Sequence, residues 1–176
     1  MNAEDAVEIL NRLDEAGLWY CIEGGWGVDA LLGEQTREHR DLDLGVRTDE
    51  LSLLREALRE FEADENEWPS SLIFDDTHGR RVDTSPLTFD EKGDGWQASL
   101  RGDPHRWPRE HIGARGRIGG REVRCITPEL QLRWHRYDEF DDVDWADMRA
   151  LCERFGLDLQ PALAAPPGFV AERRAR

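Results

Sequence analysis

Little in this sequence suits a membrane, a disulfide scaffold or a nucleic-acid duplex. Its longest apolar runs extend only a few residues, far short of the roughly 20 that a spanning helix needs, so no transmembrane segment is expected. No basic start leads into an apolar stretch, so no secretory signal is expected either. Cysteine is scarce. Cys21, Cys125 and Cys152 are far apart and make no CxxC, no zinc spacing and no disulfide framework, and a reducing cytoplasm is the expected compartment. Positive charge is outweighed: 38 acids stand against 23 Lys and Arg, for a net charge of −15. A duplex-binding module needs a basic face, so no nucleic-acid partner is expected. The balance favours cations instead, either metal ions or a polycationic small molecule, although acids also serve solubility. There is no internal repeat and no low-complexity tract. The apolar share is 39%, yet seven Trp and six Phe still supply a core, and 176 residues suit one domain with a small helical lobe.

Periodicity divides the chain into helices and strands. Residues 4–16 carry Ala6, Leu10 and Leu13 at helical spacing and stop at Gly17, a C-terminal cap. Residues 18–23 read as a buried strand broken by Gly24 and Gly25. A short helix follows from Trp26 to Leu32 and closes at Gly33. Residues 34–40 form a polar loop, and 41–46 open with the acid–apolar alternation of a strand. Thr48 is the expected cap of a helix reaching Phe61, with Leu51, Leu54 and Leu58 on one face. Residues 71–75 and 80–84 read as strands joined around His78 and Gly79, 90–110 as mostly loop, and 114–125 as a hairpin turning at Gly119-Gly120. Thr127 and Pro128 start a helix expected to reach Phe140. Asp141 or Asp142 caps a last helix ending at Gly156, and 161–176 reads as a loosely held tail. The expected fold class is α/β (α+β), a mixed sheet of about five strands with flanking helices and a C-terminal helical segment.

Chemistry concentrates in residues 24–44, GGWGVDALLGEQTREHRDLDL. Asp41 and Asp43, two apart on a strand, point to one face while Leu42 and Leu44 bury behind them. Two carboxylates held together repel unless a cation sits between them. Hard oxygen ligands on one edge suit Mg²⁺, which also takes substrate phosphate oxygens. Alone, an Asp-x-Asp triplet fits a solvated strand face at least as well. Gly24 and Gly25 follow a strand and open a helix, where backbone N–H groups reach an anion without a Cβ in the way. Alone, they are also a plain turn, and Trp26 a core aromatic. Strand, Gly-Gly helix start, loop and acidic strand together set a phosphate site beside a metal site, as a triphosphate with Mg²⁺ requires. No GKT or GKS and no GxGxxG with a distal acid occurs, which excludes a Walker A loop and a dinucleotide fingerprint.

Arg37 and His39, just before the acids, can hold phosphate oxygens through a guanidinium fork and an imidazole donor. Equally, Arg37 can pair with Glu34 or Glu38, and His39 can make a structural hydrogen bond. Asp29 reads as capping the short helix or orienting Arg37. Residues 138–147 hold six acids in ten: either a solvated linker that caps the last helix, or an anionic rim with Trp145 as a stacking surface.

The pattern GGWGVD…LLG…TR.H.DLDL resembles the nucleotidyltransferase superfamily with the DNA-polymerase-β-like fold. More narrowly, it resembles the small bacterial aminoglycoside and lincosamide nucleotidyltransferases that confer antibiotic resistance. The Gly-Gly turn and the acid–apolar–acid strand carry the broader likeness. Trp26, Val28-Asp29, Thr36-Arg37 and His39 carry the narrower one, and residues 118–156 look like the family's hairpin and C-terminal helices.

The resemblance implies ATP or another NTP as co-substrate, with its phosphates on the Gly24-Gly25 turn and with Trp26, Arg37 and His39 beside them. It implies a pair of Mg²⁺ ions bridging Asp41 and Asp43 to the phosphates. A nucleoside monophosphate, AMP first, then passes to a hydroxyl of a small cationic acceptor and pyrophosphate leaves. A third carboxylate on a neighbouring strand is implied, accepting the hydroxyl proton and sharing a metal. Asp83 in RRVDTSP is the candidate; Asp75 and Asp76 compete. Lincosamide members often carry His two residues after this acid, where this chain has Ser85. An aminoglycoside acceptor suits the charge of −15. The alternatives are a lincosamide, with its single amine, and a partner protein modified by an antitoxin-type enzyme, against which the C-terminal helical segment speaks. The implied organisation is a core over 1–110, a hairpin and helices completing the acceptor side over 111–160, and a tail over 161–176.

Asp41→Asn or Asp43→Asn should abolish nucleotidyl transfer and leave the fold intact, since each removes a hard ligand from a shared site. Circular dichroism and a transfer assay at saturating Mg²⁺ check this. Near-normal turnover in either variant overturns the metal assignment.

Overall fold

The computed structural model describes residues 1–134 and 142–158. Helix α1 (Ala3–Glu15) opens with a capping box, Asn2 and Asp5 each accepting from the other's backbone N–H. It buries Ala6, Ile9, Leu10 and Leu13. Strand β1 (Tyr20–Ile22), helix α2 (Gly24–Leu32) and strand β2 (Asp41–Arg47) follow. Helix α2 starts two residues earlier than the pattern suggests, at the glycines themselves. It ends at Gly33, whose N–H reaches the Asp29 carbonyl at 2.8 Å.

A 3-10 turn over Thr48–Glu50 leads into α3 (Leu51–Ala57), and two expectations are corrected there. Thr48 caps nothing: it is the first residue of the 3-10 turn, and its hydroxyl accepts from Thr88 Oγ1 at 3.3 Å. The helix also stops at Ala57 rather than Phe61. Phe61 N–H bonds to Leu58 O at 2.8 Å in a bend that delivers the chain to β3 (Glu62–Asp64), a short edge strand with no periodicity to announce it.

Strands β4 (Leu72–Asp75) and β5 (Arg81–Phe89) follow the expected turn. The stretch 90–110, expected mostly as loop, also holds β6 (Gly95–Gln97) and β7 (His105–Trp107), too short to show alternation. Then come β8 (Ala114–Ile118), β9 (Arg121–Cys125), α4 (Pro128–Trp134) and α5 (Asp142–Phe155). The expected continuation of α4 to Phe140, the cap at Asp141 and the tail over 161–176 lie outside the described residues.

Among the described residues nine strands, rather than about five, form one mixed sheet in the order β3-β4-β5-β2-β1-β9-β8, with β6 and β7 continuing from the far half of β5. Strands β2 and β5 run parallel from Asp41↔Arg81 to Arg47↔Leu87, and β1 runs parallel to β9. The hairpin at 114–125 thus extends the same sheet, next to its central strands. One face packs Ile22, Leu42, Leu44 and Val82 against the helices; the other carries a smaller cluster with Cys21, Leu87, Trp107 and Ile126. All three cysteines are free, and burial pushes the Cys21 thiol well up and the Cys125 thiol up to about 12, so both act as core groups. No helix among the described residues is long and apolar enough to cross a membrane.

Helix α2 lies so close to β8 that a Cβ at Gly116 would overlap the Ala30 carbonyl and fall 2.8 Å from Ala30 Cβ. Gly116→Ala should therefore cost about 1–3 kcal/mol, whereas Gly113→Ala, facing open space, should cost far less. Urea unfolding of the two variants checks this; equal midpoints contradict the contact.

Candidate active site

Strand β2 alternates as its sequence demands. Leu42 and Leu44 are 0% exposed, and Asp41 and Asp43 lie half-buried on the opposite face. Parallel pairing sets Asp43 directly opposite Asp83 and Asp41 opposite Arg81. Asp83 Oδ1 accepts from Ser71 Oγ at 2.5 Å, a bond that orients the carboxylate.

The competing acids are engaged elsewhere. Asp75 takes the Arg81 guanidinium through two bonds of 2.8 Å, and Asp76 takes Arg80 while accepting from the His78 and Arg80 N–H groups of the turn. The Asp75 hydrogen bonds hold Arg81 charged, above its ordinary range, against some lowering by burial; the Asp41 and Asp83 charges add to this.

Helix α2 begins with its Ncap Glu23 making no side-chain cap. The amides of Gly24, Gly25 and Trp26 precede the first intrahelical bond, Gly27 N–H to Glu23 O at 2.9 Å. Gly24 sits at φ 58°, and a Cβ there would overlap the Asp43 carboxylate, so only glycine brings this turn against the acid. On Gly25 a Cβ would strike the His39 ring and lie 2.6 Å from Arg37 Nη2. Glycine is thus needed at 25 for the packing of these two side chains, a reason beyond the expected approach of phosphate.

Trp26 and His39, expected beside the phosphates or alternatively as a core aromatic and a structural hydrogen-bonding group, are both buried. Trp26 is 1% exposed, and its ring meets His39 at 4.4 Å between centroids. His39 is also buried, with Nε2 2.5 Å from Asp29 Oδ2; the carboxylate partner makes that nitrogen the donor. Asp29 Oδ1 accepts from Thr36 N–H at 3.1 Å and Thr36 Oγ1 at 2.6 Å. Asp29 therefore holds Thr36 and His39 rather than orienting Arg37. Arg37 instead places Nη2 2.9 Å from the buried carboxylate of Asp147 on α5, not on Glu34 or Glu38. Its Nε is buried with no partner among the described residues, a donor that suits an anion.

Sequence reading missed several supports. Gln131 of α4 is a polar residue on a buried helix face, and it donates from Nε2 to Gly24 O at 3.1 Å. Ser85 donates to Glu23 Oε1 at 2.9 Å and accepts from Gln97 Nε2 at 3.0 Å, placing a further carboxylate across the sheet face near Asp43. Ser71 has no motif at all. Of the acid-rich stretch, Asp138, Glu139 and Asp141 lie outside the described residues; Asp147 is spent on Arg37, and Trp145 packs against the core.

The donor set Asp41, Asp43 and Asp83 is all oxygen and suits a hard cation such as Mg²⁺. Among the described residues no three His, Cys, Asp or Glu side chains converge into a metal cage, so a cation here needs substrate oxygens and water to complete its shell.

The profile of the aminoglycoside-2''-adenylyltransferase family matches residues 5–151. A 2''-aminoglycoside nucleotidyltransferase of Klebsiella pneumoniae is 31% identical over 169 residues, 90% of each chain. A lincosamide resistance protein of Staphylococcus haemolyticus is 26% identical over 145 residues, 81% of this chain and 89% of its own. Among solved structures, lincomycin-bound lincosamide antibiotic adenylyltransferase LnuA aligns with a TM-score of 0.74 at 25% identity, over 84% of this chain and 94% of that one. ANT(2")-Ia in complex with adenylyl-2"-tobramycin aligns at 0.72 and 22% identity over 91% of each, a likeness of fold.

Arg37→Met should strand the Asp147 carboxylate in a buried place and lower stability by about 1–2 kcal/mol, the pair being partly exposed on the arginine side. Adding Asp147→Asn should restore part of that loss. Chemical denaturation of both singles and the double tests the coupling, and strict additivity refutes it.

Proposed function

The chain belongs to the aminoglycoside-2''-adenylyltransferase family, and from that membership we propose that it transfers AMP from ATP to a hydroxyl of an aminoglycoside, releasing pyrophosphate. The observation that carries the mechanism is the parallel register of Asp43 with Asp83 beside the Gly24 turn. The uncapped amides of Gly24 and Gly25 bind phosphate oxygens at the positive end of α2. Arg37 adds its unpartnered Nε, while Trp26, His39 and Asp29 fix the loop from behind. Asp41 and Asp43 would hold the Mg²⁺ that the nucleotide brings. When bound, that ion neutralises charge on the α-phosphate as the bond to pyrophosphate breaks.

Asp83 accepts the proton of the attacking hydroxyl. Ser71 donates to its Oδ1 and so orients the carboxylate towards this task. Because β2 and β5 are adjacent, hydroxyl and α-phosphorus meet without either strand having to move. On the acceptor side, the Glu23 carboxylate that accepts from Ser85 would attract an ammonium group.

A lincosamide acceptor is the second reading, favoured by the likeness to LnuA and to the staphylococcal lincosamide resistance protein. Salt separates the two. With an ATP analogue and Mg²⁺ present, affinity for tobramycin, a polycation, should fall roughly tenfold from low to moderate salt, whereas lincomycin should respond much less. Calorimetric titration of both compounds at two salt concentrations decides. Tight, salt-insensitive lincomycin binding with no tobramycin heat overturns the aminoglycoside reading. Binding of neither moves the acceptor to another hydroxyl compound or a protein.

A further inference from the structure

Gln131 lies in α4, more than 100 residues along the chain from the glycine turn, and is 1% exposed. Its Nε2 donates to Gly24 O at 3.1 Å. The fit is close on both sides: a Cβ at Gly27 would overlap that same nitrogen, so glycine at 27 is what admits the side chain. Helix α4 is itself anchored. Leu130 and Gln131 N–H groups reach Thr127 O at 3.1 and 3.0 Å, and Thr127 Oγ1 meets His111 Nδ1 at 2.7 Å.

A trans peptide sends its C=O and N–H in opposite directions, and the Gly24–Gly25 bond is trans. Fixing the Gly24 carbonyl on Gln131 therefore fixes the Gly25 N–H, which points away from α4. This peptide plane lies in the first turn of α2, and two adjacent glycines there, one of them at positive φ, make that helix end the easiest to fray. We propose that Gln131 is a positioning residue for nucleotide binding: it locks the Gly24–Gly25 peptide so that the Gly25 amide is aimed at a phosphate oxygen before the nucleotide arrives. The proposal rests on the reading of that turn as the phosphate site.

Gln131→Met keeps the length of the side chain and removes the donor. Calorimetry with α,β-methylene-ATP and Mg²⁺ on the full chain should show affinity about tenfold weaker in this variant, with its thermal midpoint only modestly lowered. An unchanged dissociation constant overturns the role of Gln131. If the natural chain itself fails to bind the analogue, the reading of the turn falls and this proposal falls with it; if it binds and the variant matches it, only the Gln131 assignment falls. Should the variant not fold, ¹⁵N NMR of the unaltered protein still decides. The Gly25 amide and the Gln131 side-chain amide should shift along one titration curve with the analogue, and a Gln131 resonance that stays put while Gly25 moves overturns the coupling.

Discussion

Asp43 and Asp83 face each other across two parallel strands, and like charges so placed are unfavourable until a cation or a proton comes between them. The simplest relief would be for one carboxylate to turn away, and the surroundings oppose it. Leu42, Leu44 and Val82 are fully buried on the reverse face, so neither strand can rotate without exposing them. A slip of one residue would send the acids into the core. The Ser71 hydroxyl pins one oxygen of Asp83, and the backbone at Gly24 leaves no room for Asp43 to lean towards α2. The sheet thus keeps two mutually repelling groups together, an arrangement that a cation placed between them would relieve.

Behind the acids stands a second set of interacting side chains. Trp26 and His39 meet in the core, Asp29 ties His39 to Thr36, and Arg37 crosses to Asp147 on α5. Their effect is to give the loop over 34–40, which has no secondary structure of its own, one conformation. Arg37 thereby has a double attachment: Nη2 bonds to Asp147 on α5 and Nη1 to the Glu38 carbonyl.

The legible parts of the molecule were those written locally. Alternation in DLDL placed Asp41 and Asp43 on one face, the Gly-Gly pair marked the start of α2, and Gly119-Gly120 marked a hairpin. Short pieces were not legible, because β3, β6 and β7 have three residues each and no period can be read from so few. Contacts across long stretches of chain were not legible either. Nothing near Ser71, Gln131 or Asp147 announces a partner, since each acts through a bond to a residue on another element. Trp26 and His39 were visible as a motif, and the choice between a ligand place and a core place was left open; a motif shows which residues stand together, and only packing shows which of them meet solvent. Asp83 was reachable by its strand, and what singles it out from Asp75 and Asp76 is the register with β2 and the arginines that engage the other two.

The order of strands has a consequence for the chain while it is being made. Strand β1, formed from residues near 20, has β2 on one side and β9, formed from residues near 125, on the other. Until β9 leaves the ribosome, β1 is an open edge with unpaired backbone groups, flanked by the apolar Trp19 and Leu18, and such edges recruit other strands. The Gly24 turn follows β1 directly and waits equally long for Gln131. A chain ending before α4 would therefore carry Asp41, Asp43 and Asp83 and still present an open strand edge and an unsupported turn.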